Sequence, residues 1–129
     1  MRHRRRGRLR AALLVAVSLV TACHSRPDVA YQVPEDSVPV EVANHNWSDV
    51  VIYVVRDGFQ SRLGVAGAAS ATSFMLPRRM LGQAGELQLF GHPIGAAGSA
   101  VTETVIVQPG QWVEWTLESD LDRSAIGVF

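Results

Sequence analysis

Four histidines, twelve carboxylates and a single thiol are the groups in this 129-residue chain able to bind a metal or to move a proton or an acyl group. His45 and His92 fall in stretches rich in turn residues, Asn44-His45-Asn46 and His92-Pro93-Ile94-Gly95. Two loops at one end of a domain could share a cation. No third ligand stands at a diagnostic spacing, however, and there is no H-E-x-x-H and no Cys/His cluster. Both therefore read as solvent-facing loop histidines. Glu118, Asp120 and Asp122 occupy every second position. Calcium takes roughly six to eight oxygens and usually a glycine to turn the loop, and the next glycine is Gly127, so the run reads as a solvated acidic face. The pairs Gly64/Gly67, Gly82/Gly85 and Gly95/Gly98 form neither a dinucleotide fingerprint nor a phosphate loop. No G-x-S-x-G marks a serine as a nucleophile. With no acid, base, nucleophile or metal set converging, the chain is expected to be non-catalytic, with no metal site.

The aromatic residues are the better candidates for contact. Trp47 lies in a polar turn, and Trp112 alternates out of phase with the apolar residues that follow it. With Tyr53 they form a candidate set for gripping a partner or stacking on sugars. Trp115 is in phase with Val113 and Leu117 and is expected in the core.

The elements that carry these residues read as short strands. Residues 38–42 alternate apolar with other side chains, and Pro39, lacking an amide hydrogen, predicts an edge strand. The run V-V-I-Y-V-V at 50–55 is β-branched on both faces and predicts a central strand. Asp57-Gly58 is a hairpin signal. Further strands are expected at 60–65, 72–76, 86–90, 101–107 and 112–118, with one helical turn after Pro77 stopped by Gly82. Pro109-Gly110 suits a type II turn. Phe74, Leu76, Leu87, Leu89, Val113, Trp115 and Leu117 should face inward. About seven short strands at roughly ten-residue spacing predict an all-β fold, a single antiparallel β-sandwich over 38–118. Residues 119–129 are set apart as a C-terminal tail, loose or packed on an edge. A final Phe129 is also a feature of outer-membrane β-barrels, but membrane strands need roughly 9–11 residues each, and these runs are shorter.

The start of the chain is of another character. Six of its first ten residues are arginine, and 11–22 carry no charge. Twelve residues are too few to span a bilayer as a helix, which takes about 20. A cationic start, a short apolar stretch and a small-residue end describe a secretory signal peptide over 1–22. Arg4-Arg5-Arg6 hints at twin-arginine export, but Arg8 stands where that motif wants a hydrophobic residue, which favours the general secretory route. The stretch ends in Val20-Thr21-Ala22-Cys23, which resembles the lipobox of bacterial lipoproteins: an aliphatic residue, a hydroxyl or small residue, a small residue, then cysteine. The resemblance implies cleavage before Cys23, a thioether-linked diacylglycerol on its sulfur and acylation of the new amino group. It accounts for a lone cysteine with no disulfide partner. Lipid on Cys23 is then the one non-protein group expected. One myristoyl chain holds a protein only marginally, whereas two or three hold it firmly. His24 and Ser25 follow in place of an aspartate that would favour inner-membrane retention, which implies the outer membrane of the cell envelope. Residues 23–37, with Pro27 and Pro34 and no period, read as lipidated cysteine and tether.

Charge sharpens this picture. The chain holds twelve basic and twelve acidic residues. Six of the arginines lie within 1–22, so the chain from Cys23 sets six cations against twelve anions, a net charge of −6. That argues against nucleic acid, whose phosphates demand a basic face. In strand rhythm, residues 40–117 resemble small immunoglobulin-like or transthyretin-like modules, and they are similar to a type of short bacterial lipoprotein with Val40-x-Val42-x-Asn44 at the opening, Arg62-Leu63-Gly64, and V-x-P-G-Q at 107–111. The resemblance imports no activity. The expected function is a membrane-anchored envelope module that binds another envelope protein. The alternative is a carbohydrate- or peptidoglycan-binding module using Trp47 and Trp112.

Overall fold

The computed structural model describes residues 34–129. The expected signal peptide, Cys23 and the expected tether up to residue 33 lie outside the described residues. Residues 34–129 form two packed β-sheets and two short 3-10 turns, an all-β sandwich. One sheet has the order β4-β1-β8-β9, made of β4 (Ser70–Pro77), β1 (Ser37–Asn44), β8 (Val113–Leu117) and β9 (Ala125–Val128). The other has the order β3-β2-β5-β6, made of β3 (Phe59–Ala66), β2 (Val50–Arg56), β5 (Glu86–Pro93) and β6 (Ala100–Val101). The short β7 (Val105–Ile106) pairs with the start of β5.

Alternation decides what each strand buries. Val38, Val40, Val42 and Asn44 of β1 point inward, as do Val50, Ile52 and Val54 of β2, Leu87 and Leu89 of β5, and Val113, Trp115 and Leu117 of β8. Trp115 is fully buried, and its indole N–H has no partner. Its volume rather than a hydrogen bond holds it there. Gly91 makes room for it: a Cβ at that position would lie 3.0 Å from Val50 Cγ1 and 3.1 Å from Trp115 Cη2. Asn44 is a polar tie at the end of the core. Its Nδ2 donates to the carbonyls of Ser48 (3.0 Å), Ala66 (3.2 Å) and Gly67 (3.0 Å), while Oδ1 accepts from the Asn46 amide (3.0 Å). It thereby pins the loop that carries Trp47 to the turn between β3 and β4.

Several sequence expectations change. Among the described residues there are nine strands, where about seven were expected. The expected strand at 101–107 is interrupted because the Thr102 hydroxyl accepts the Leu89 amide (2.9 Å) while the Thr102 amide donates to Leu89 O (3.0 Å). A side chain thus stands in for a backbone rung, and the ladder breaks into β6 and β7. Residues 119–129 contribute a 3-10 turn and β9 on the open side of β8. The sheets are not wholly antiparallel, since β8 runs parallel to β1, from Val40↔Val113 to Asn44↔Leu117. Pro39 does not mark an edge: β1 lies between β4 and β8. The ladder to β8 begins only at Val40, one residue later, so the proline removes no rung from it. β2 is central as expected, but its outer-face residues Val51, Tyr53 and Val55 are only half-buried. At Asp57-Gly58 both φ angles are positive, 51° and 79°, as a two-residue type I′ hairpin requires.

Candidate functional site

Trp112 is the first residue before β8 and faces away from the core. Its backbone and that of Phe129 exchange both N–H···O bonds at 3.0 Å, extending the β8–β9 ladder by one pair. Their rings stack on the outer face, with centroids 4.8 Å apart and planes at 25°. Gly127 makes this possible, since the Phe129 ring occupies the space where a Cβ at 127 would lie. Phe129 covers one side of the indole, which is 37% exposed. The rest of the indole lines a groove of about 810 Å³ with Pro34, Pro39, Pro109 and the carboxylates of Glu35 and Glu41. A second hollow of about 300 Å³ shares Pro39, Glu41 and Trp112 and runs toward Ser73 and Met75 of β4. Together they form a trough across the outer face of β1. Among the described residues no basic side chain lines it, and Glu41 takes part in no ion pair.

The three aromatic candidates do not share a surface. Trp47 is 85% exposed in the loop after β1. Asn44, just before that loop, is level with Leu117, whereas Trp112 precedes Val113, so the five residues of β8, about 16 Å of strand, separate the two tryptophans. Tyr53 lies on the outer face of the opposite sheet, with its ring centroid 6.0 Å from that of its cross-strand neighbour Phe90. The sequence reading missed Phe129, Pro39 and Glu41 as companions of Trp112. The signal present was the alternation that turns Trp112 outward. Nothing local showed that the last residue of the chain would return beside it.

The titratable groups are dispersed. His45 Nδ1 lies 3.4 Å from Glu118 Oε2 on one side of the sandwich, while His92 sits on the outer face of the other sheet. Asp120 caps the turn Leu121–Arg123 by accepting the Asp122 amide. Among the described residues no three of His, Cys, Asp or Glu are grouped to hold a metal. A separate polar hollow of about 540 Å³ beside the Asp57-Gly58 hairpin is lined by Arg56, Gln83, Glu86 and Gln88, with charges of both signs. Comparison with protein-family models, with characterised proteins and with solved structures gives no match.

Proposed function

We propose that this protein is a lipid-anchored module of the bacterial cell envelope, non-catalytic, whose sandwich binds another envelope protein through the outer face of the four-stranded sheet. The anchor rests on the sequence alone, on Val20-Thr21-Ala22-Cys23 closing a short apolar leader. The binding reading is carried by one observation, the trough beside Trp112. An aromatic ring backed by a second ring, beside proline surfaces and exposed carboxylates, is the composition of a contact site. The acidic balance of the chain from Cys23 adds selectivity for a cationic surface. A glycan is the second reading. The separation of Trp47 from Trp112 weighs against a short sugar stacked on both.

Two measurements test this. Cells fed labelled palmitate should yield a labelled protein in the membrane fraction, and Cys23→Ala should abolish the label and release the protein. Persistent label on the variant, or none on the wild type, removes the anchor. A photo-crosslinking amino acid at position 112 should give one discrete protein adduct in cells, and the same group at position 53 should not. Equal adducts from both positions would sink the binding face.

A further inference from the structure

We propose that the trough formed by Pro34, Pro39, Pro109 and Trp112 holds an extended, proline-containing segment of the partner that carries arginine or lysine. This rests on the protein-binding reading above and names its occupant. The argument begins with the backbone. Over Val40–Asn44 β1 is flanked on both sides by paired strands, β4 and β8, and over Ser37–Pro39 it pairs with β4 alone. That open stretch is short and holds a proline without an N–H, so it offers no template for an added strand. An occupant must lie across the face and be held by side-chain surfaces. Those on offer are an indole whose N–H can donate, three proline rings, and the carboxylates of Glu35 and Glu41.

A segment in the polyproline conformation fits this inventory. Its carbonyls are unpaired and available to the indole, its flat rings pack on aromatic and proline surfaces, and little chain entropy is lost because it is already extended. Charge selects among extended segments, since two carboxylates and, among the described residues, no basic side chain lining the trough favour a basic side chain on the ligand. The same charges disfavour the other occupants. Anionic lipid headgroups would meet Glu35 and Glu41, and a second copy of the chain would bring two further carboxylates against them.

The purified full chain in detergent, processed or not, carries Trp47→Phe so that emission changes report Trp112, Trp115 being buried. A nine-residue Pro-Pro-Arg repeat peptide is titrated against it. The expected result is a saturable change in emission, absent with a Pro-Pro-Glu repeat and weakened on going from about 50 to about 500 mM salt. Glu41→Arg, on an exposed position that leaves the core untouched, should weaken binding at least about fivefold, and Tyr53→Ala should leave it unchanged. Equal responses to both peptides, or indifference to Glu41→Arg, overturn the proposal. So does saturable binding to anionic phospholipid vesicles or self-association that consumes the same emission change. The crosslinked adduct at position 112 in cells is independent of the peptide result, so failure of this occupant and failure of the protein-binding reading are told apart.

Discussion

Gly91 has a fully extended neighbourhood and no positive φ, yet its missing side chain is required. A methyl there would press on Val50 and on the far edge of the Trp115 ring at once. Both neighbours are fully buried, so neither yields easily. Gly91→Ala is expected to cost about 1–3 kcal/mol in urea unfolding, the usual range for overpacking. A loss below a few tenths would show that Trp115 can shift. Thr102 gives the converse case of a side chain that is needed for its oxygen. Thr102→Val keeps shape but removes the acceptor of the buried Leu89 amide. It should cost about 1–3 kcal/mol and speed amide exchange at Leu89. Unchanged exchange would mean that another acceptor moves in. Neither role was visible in the sequence, where Gly91 stood just beyond the expected strand at 86–90 and Thr102 inside the one at 101–107. Both depend on what a non-local strand places opposite.

β9 is the element that the sequence reading set apart as a tail. Its four residues alternate only weakly, with Ile126 and Val128 half-buried and Gly127 between them, so pattern alone says little. Position explains it. Without β9, β8 would be an open edge beside the core tryptophan, the kind of edge that invites pairing with another chain. Deleting 125–129 should therefore lower stability and promote self-association in sedimentation. It should also remove the Phe129 ring from Trp112 and shift its emission to the red. A monomer with unchanged emission would show that β9 neither protects β8 nor shapes the trough. The β-hairpin of β2 and β3, by contrast, was legible residue by residue, because Asp57-Gly58 carries its turn geometry in its own chemistry.

Taken over the whole domain, the inward residues were determined by the sequence: Val113, Trp115 and Leu117, like Leu87 and Leu89, lie where alternation placed them. Period-two patterning is a local property, and burying one face of a strand needs no knowledge of its neighbours. The all-β class, the hairpin turn and the outward face of Trp112 follow from the same local rule. Strand order and direction do not. Alternation reads the same in a parallel and an antiparallel strand, so the parallel pairing of β8 with β1, the inner place of the proline-bearing strand and the stacking of Phe129 on Trp112 were decided by tertiary packing. The candidate site belongs to that second group, because its walls come from residues 34–41, 73–75 and 109–112, brought together only when β1 finds β4 on one side and β8 on the other.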